Sequence, residues 1–216
     1  MYLPSHFKEE RPEVLRRLIA DHPLGALVTL GPDGINGNHF PFLYDPDPPP
    51  HGTLRAHVAR TNPAWRDFAK DVEALVIFQG PQTYITPSWY PRKPQTGKVV
   101  PTWNYLVVHA HGPLRAIEDT AWLRGFVERL TNRFEAKRAD PWKITDAPAD
   151  FIETSLKAIV GIEIPVTRLI GKWKVSQNQP GADRGGVVRG LRETGDPNAA
   201  VMADTVESAL RRTKQR

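Results

Sequence analysis

The side chains best equipped for chemistry fall in four stretches, 36–42, 57–65, 84–105 and 172–184. Each lies at a strand end or in a connection, where a rigid scaffold presents binding groups. In the second stretch, Arg55-Ala56-His57-Val58-Ala59-Arg60-Thr61-Asn62-Pro63-Ala64-Trp65 leaves a strand and enters a short helix near Pro63. His57, Arg60 and Asn62, with the Thr61 hydroxyl and the N–H groups of the helix start, make a compact donor set that suits an anion, and a phosphate monoester is a natural occupant. A purely structural alternative stands beside it, in which Asn62 caps the Pro63 turn and Arg60 points to solvent.

The longest unusual run is 81–105. Tyr84, Trp89, Tyr90, Trp103 and Tyr105 interleave with Ser88, Lys93, Lys98, Thr102 and Asn104, punctuated by Pro87, Pro91, Pro94 and Pro101. A polar, proline-rich connection has few means of burying so many rings. They either stack on a flat ligand or pack across a subunit interface, since Tyr and Trp join a flat apolar body to a hydrogen-bonding edge. A nucleobase could use the same platform, and a loop of this length does not decide whether Lys93 or Lys98 reaches a ligand. His109 and His111 share one face of a strand. Without cysteine or a His-Glu-x-x-His helix, however, no metal site is expected. Ser88 lacks the Gly-x-Ser-x-Gly setting of a nucleophile.

These groups depend on the elements that position them. Pro12 suits a first helical turn, and Val14, Leu15, Leu18 and Ile19 make roughly 11–21 an amphipathic helix that His22-Pro23 ends. Short apolar or alternating runs follow at 25–30, 35–44, 53–59, 73–79, 83–86 and 105–117, separated by Pro/Gly/Asp-rich turns. Six strands at such spacing predict a barrel. Most connections are too short for parallel crossovers, and no Gly-x-Gly-x-x-Gly is present, which argues against a Rossmann sheet. Helices are predicted at 120–136, with Asp119 or Thr120 as N-cap, and at 150–158. Over 159–175 a long strand changes phase, from Val160, Ile162, Ile164 and Val166 to Leu169, Gly171, Trp173 and Val175, implying a bulge or bend. A short helix at 183–191 precedes a last one, opened by Asp196-Pro197 and carrying Met202, Val206 and Leu210 at four-residue spacing.

With 216 residues, 40% hydrophobic and 25% charged, the chain has apolar mass enough for a core, and wholesale disorder is excluded. The expected organisation is one domain, 1–216, with a helical C-terminal extension from about residue 180. No run approaches a membrane span, and Met1-Tyr2-Leu3-Pro4-Ser5-His6 lacks the apolar region of a signal peptide, so a cytoplasmic protein with no membrane partner is expected. The absence of cysteine removes disulfides, thiolate catalysis and iron–sulfur ligation. A net charge of +5 is too small to announce nucleic-acid binding, but it is unevenly placed. From residue 171 onward nine basic residues face five acidic ones, with Arg211, Arg212, Lys214 and Arg216 at the very end. That end is either a solvated helix terminus or a contact for DNA phosphates.

Taken together, Met1-Tyr2-Leu3-Pro4-Ser5-His6-Phe7, Asn38-His39-Phe40-Pro41-Phe42, His57-Val58-Ala59-Arg60-Thr61-Asn62-Pro63, Tyr84-Ile85-Thr86-Pro87-Ser88-Trp89-Tyr90, Val100-Pro101-Thr102-Trp103-Asn104-Tyr105, Val108-His109-Ala110-His111-Gly112 and Lys172-Trp173-Lys174-Val175-Ser176-Gln177-Asn178 resemble the PaiB family. Its members are described as FMN-binding negative transcriptional regulators with a split-barrel fold. The resemblance runs from Met1 to about Leu191, with the motifs in the same order. It implies an α+β, mainly β, FMN-binding split barrel with flanking helices, and a homodimer with one FMN per subunit in a groove at the dimer interface. Carried over by motif, His57, Arg60 and Asn62 would hold the phosphate side, and Asn38 and His39 would run along the ring edge. Ser88, Trp89 and Tyr90, with Thr102, Asn104 and Tyr105, would close the groove.

The sequence offers no evident DNA-reading helix. The first helix runs directly into a strand, and Gly195-Asp196-Pro197 separates the last two. Flavin binding is thus the stronger half of the implied description and DNA binding the weaker. The expected function is an FMN-binding transcriptional regulator. A flavin-dependent oxidoreductase moving electrons from NAD(P)H to a small acceptor is the alternative, and a non-flavin structural or nucleic-acid-binding barrel is the third reading.

Overall fold

The computed structural model describes residues 1–214, with side chains through Arg211. The side chains of Arg212, Lys214 and Arg216, expected to extend the basic end, lie outside the described residues. In chain order the elements are β1 (Lys8–Glu9), α1 (Pro12–Asp21), β2 (Leu24–Gly31), β3 (Gly34–Pro41), β4 (Leu43–Asp45), β5 (Thr53–Ala59), β6 (Ala74–Ile85), α2 (Lys93–Thr96), β7 (Thr102–Gly112), β8 (Arg115–Ile117), α3 (Thr120–Glu135), α4 (Ala149–Lys157), β9 (Ile159–Pro165), β10 (Arg168–Lys174), α5 (Gly181–Glu193) and α6 (Pro197–Lys214). The class is α+β with antiparallel pairing, as the short connections require. Contacts group the chain into two compact units, each assembled from separated stretches.

One unit comprises Ile19–Phe78 and His109–Leu169. Here β2 turns back through Gly31↔Gly34 to pair with β3, and also pairs with Leu75–Ile77 of β6. A four-stranded antiparallel sheet runs in the order β4-β5-β9-β8. Along β5 the alternation puts Leu54, Ala56 and Val58 in the core. Asp119 caps α3, its carboxylate accepting from the Trp122 N–H at 2.7 Å. Leu123 of α3 packs with Ile144 and with Ile152 and Leu156 of α4 into one apolar cluster. Gly161 lets β9 pass beneath Trp122, where a Cβ would lie 2.3 Å from the indole.

The other unit comprises Met1–Leu18, Gln79–Val108 and the chain from Ile170 on. Its strand order is β1-β10-β7-β6, with Lys8 opposite Lys172 and Glu9 opposite Gly171. In its helical pair, α5 buries Val187 and Leu191, and α6 buries Ala199, Met202, Ala203, Val206 and Ala209. Leu210 is only partly buried and Ala209 replaces it in the stripe, because a helix turns every 3.6 residues and a four-residue spacing drifts off the face.

Several predicted boundaries shift for local reasons. The runs at 73–79 and 83–86 are one strand, β6, since β2 pairs only alongside Leu75–Ile77 and Pro81 owes that ladder no N–H. The run at 105–117 begins earlier, at Thr102, and breaks after Gly112, at Pro113. The phase slip in 159–175 is an interruption at Val166 and Thr167 that divides β9 from β10.

Candidate functional site

The first group of expected ligands belongs to the unit of Ile19–Phe78 and His109–Leu169, and each of His57, Arg60 and Asn62 turns to a different partner. His57 stands on the same side of β5 as Arg55, facing α3, with its ring edge-on to Phe126 at 5.8 Å. Its Nδ1 is buried with no hydrogen-bond partner, and burial pushes its pKa down, favouring the uncharged ring. Arg60 closes the turn between α4 and β9. Nε donates to the Lys157 carbonyl at 2.8 Å, Nη2 to the Ile159 carbonyl at 3.2 Å, and Nη1 to Glu118 at 2.5 Å. Though partly exposed, it spends its donors within the protein, and its charge is paired with a carboxylate.

Asn62 does cap the Pro63 turn, its Oδ1 accepting from Ala64 N–H at 2.9 Å. Its Nδ2 donates to Asn38 Oδ1 at 3.0 Å, and Asn38 donates in turn to Asn36 at 2.9 Å. The result is a relay of amides from the cap onto β3, where His39 is exposed beside it. Asn36 was not among the expected ligands, although its i, i+2 spacing from Asn38 places both on one face of the strand.

The second group belongs to the other unit. Within the run 81–105, Tyr84 is on β6 and Tyr105 on β7, as the strands read at 83–86 and 105–117 imply, and Trp103 joins β7 because that strand starts at Thr102. Tyr84 and Trp103 meet edge to face at 6.2 Å with about half of each exposed, at 48% and 52%. Between those strands, Thr86 caps a turn over Pro87–Trp89 by accepting from Ser88 N–H. Lys93 reaches back to the Ser88 hydroxyl at 3.3 Å, whereas the backbone N–H of Lys98 bonds to Thr96.

Trp89 and Tyr90 are packed, against the expectation that such a loop cannot bury itself. The indole and carbonyl of Trp89 lie against Gly190 and Gly186 of α5, where a Cβ would come within 2.4 and 2.0 Å of them. Tyr90 is buried, its hydroxyl is unpaired, and burial and nearby Asp183 push its pKa up. Arg92 anchors the same turn, with Nε 2.6 Å from Asp183 as a charge contact and Nη2 donating to Gln179 at 2.7 Å. Asn104 is fully buried, its amide exchanging hydrogen bonds with Ser176 at 3.0 and 3.3 Å. Ser176 itself has φ 64°, a left-handed conformation uncommon for serine.

Thr102 and Tyr105 remain accessible in part, and they meet two residues to which the motif reading assigned no role. Lys172 Nζ lies 5.3 Å and Lys174 Nζ 5.9 Å from the centre of the Tyr105 ring. Lys174 donates to Thr102 Oγ1 and to the Trp103 carbonyl, each at 2.5 Å. The available signal was the alternation Lys172-Trp173-Lys174, which on a strand puts both lysines on one face and the buried indole on the other. Among the described residues no group of three or more His, Asp or Glu is placed to hold a metal ion.

The family comparison matches residues 1–168 to FMN_bind_2, the "Putative FMN-binding domain". A protein of Emericella nidulans is 35% identical over 95% of this chain and 96% of its own length. The Bacillus subtilis protease synthase and sporulation protein PAI 2 is 32% identical over 98% of this chain and 99% of its own. Among solved structures, the FAD and heme binding protein from Mycobacterium smegmatis superposes with a TM-score of 0.58 at 16% identity, covering 77% of this chain and 73% of that one. The shared fold is the split barrel with flanking helices. With the family model covering most of its length and the Bacillus protein matching end to end, the chain belongs to the PaiB-type family of FMN-binding domains, whose cofactor is FMN.

Proposed function

We propose that the protein is an FMN-binding regulator of transcription that works as a homodimer in the cytoplasm. The observation that carries the reading is the half-exposed ring pair Tyr84 and Trp103, a flat apolar surface of the kind that receives a planar ligand or a second subunit. The polar groups suit FMN as well. Asn38, His39 and Asn62 offer amide and imidazole donors and acceptors for the edge of the flavin ring, and Ser88, Thr102 and Tyr105 offer hydroxyls. Trp89, Tyr90 and Asn104 shape the turn and strand that present them. When bound, FMN supplies a reversible redox centre, while the protein supplies binding and orientation.

The name of the Bacillus relative, a protease synthase and sporulation protein, supports a regulatory role. Contact with DNA phosphates falls to the basic C-terminal end, where Arg211 is largely exposed and only 3.6 Å from Glu207. The test is a visible-absorbance titration of the purified protein with FMN, followed by NADH or NADPH, with sedimentation at several concentrations. Saturable flavin absorbance, a dimer and no nicotinamide-driven bleaching are expected. Bleaching with turnover would favour the oxidoreductase, and a colourless protein that ignores FMN would overturn the reading.

A further inference from the structure

Lys172 is a buried cation, with 8% of its surface exposed. Lys174 stands two residues on, on the same face of β10, partly buried. Buried charges are ordinarily paired, because leaving water costs a lone ammonium several kcal/mol or so unless a counter-charge compensates. Neither lysine has a carboxylate partner among the described residues. Lys172 Nζ donates to the Tyr2 carbonyl at 3.0 Å, and Lys174 Nζ donates to Thr102 Oγ1 and the Trp103 carbonyl. Neutral acceptors ease the desolvation without cancelling the charge. Burial and the neighbouring Lys172 both push the Lys174 pKa down, the mark of two like charges confined together.

The hydrogen-bond inventory shows what is left over. An ammonium has three N–H groups. Lys172 spends one and Lys174 two, so three N–H donors stay free, and the Thr102 hydroxyl, accepting from Lys174, keeps its own proton to donate. Both ammonium groups lie within 6 Å of the Tyr105 ring centre, and the Thr102 hydroxyl is bonded to one of them. Three charged donors and a hydroxyl at the side of an aromatic ring match the three terminal oxygens of a phosphate group.

We infer that Lys172, Lys174 and Thr102 form an oxyanion site for a phosphate monoester, beside the Tyr105 ring. The inference rests on the FMN reading for one source of that phosphate, the cofactor's own; a separate phosphorylated ligand is the other. It departs from the motif-based assignment of the phosphate to Arg60, whose guanidinium already has a carboxylate and two backbone carbonyls.

The experiment compares wild type with a Lys172→Met, Lys174→Met double variant, which keeps the apolar stems and removes the charges. FMN and riboflavin affinities are measured by fluorescence titration, and inorganic phosphate is added in a thermal-shift series. If the cofactor supplies the phosphate, the double variant loses about tenfold or more in FMN affinity per lysine while riboflavin affinity stays within about twofold. If a second ligand supplies it, the FMN-to-riboflavin ratio is unchanged but the stabilisation of wild type by phosphate disappears in the variant. A wild type that binds neither flavin, yet is stabilised by phosphate through these lysines, retires the FMN reading and leaves the oxyanion site standing. A variant with the wild-type ratio and the wild-type phosphate shift overturns the inference. Should the double variant fail to fold, Lys174→Gln, at the less buried position, is judged by the same two readouts.

Discussion

Two pairs of cations, one pair in each unit, meet opposite kinds of partner. In the unit built on β5 and β9, cations are spoken for: Arg55 bonds to Asp45 and Glu163, and Arg60 to Glu118 and two carbonyls. In the unit built on β7 and β10, Lys172 and Lys174 sit together with backbone and hydroxyl acceptors alone. A cation that already has its counter-charge contributes mainly to holding the chain in place. One buried without it keeps most of its attraction for a ligand. On the inference drawn above, the list of partners rather than residue type would separate an arginine that holds the chain from a lysine that holds a ligand.

The sharpest way to disturb the second unit is through packing. Gly190→Ala drives a Cβ to 2.4 Å from the Trp89 indole, and because three ring atoms share that contact the turn over Pro87–Trp89 has to move. The expected loss of stability is about 3 kcal/mol, the upper end for overpacking, read by urea denaturation. A loss below about 1 kcal/mol would mean that α5 yields easily and does not seat the indole.

Arg60→Met tests the other side of the comparison. Two backbone carbonyls lose a charged donor, while the half-exposed pair with Glu118 adds little. Stability should fall by about 2 kcal/mol, and the preference for FMN over riboflavin should hold within about twofold. If that preference collapses instead, the phosphate is read at Arg60 and the contrast between the units fails.

The smallest effect is set by pH. Burial, with His111 beside it, pushes the His109 pKa down to about 4, and burial lowers that of His57. Unfolded imidazoles titrate near 6.5 or so, so the unfolded chain binds more protons than the folded one between that value and 4. The contribution of these histidines is complete above the unfolded value, drains away as pH falls through the window, and levels off below the folded value. A fall in Tm of about 3–6 °C on acidification is expected, and His109→Phe should flatten it. An unchanged slope in that variant would place the acid sensitivity on other groups.

Features fixed by neighbours in sequence were legible there. Asn62 and Asp119 announced their caps, and the phase slip in 159–175 announced the break between β9 and β10. What escaped depends on distant partners. Glu118 is 58 positions from Arg60, and the Lys157 carbonyl 97. The packing of Trp89 against α5 was equally hidden, because its seat consists of what Gly186 and Gly190 lack. Of the candidate site, the amides of Asn38 and Asn62 could be picked out by motif, but their bond to each other joins β3 to a turn 24 positions away.

The interleaving of the chain also fixes an order of assembly during synthesis. β1 leaves the ribosome more than 150 residues ahead of β10, yet Lys8 pairs with Lys172, so the strand waits until β10 has been made. The unit of Ile19–Phe78 and His109–Leu169 has all its residues by then. Until β10 emerges, β1 has no strand to pair with, and the Tyr2 carbonyl has no Lys172 to accept from. The lysines that the oxyanion site requires thus arrive after strands β1 to β9, and a nascent chain cannot complete that site before those strands are in hand.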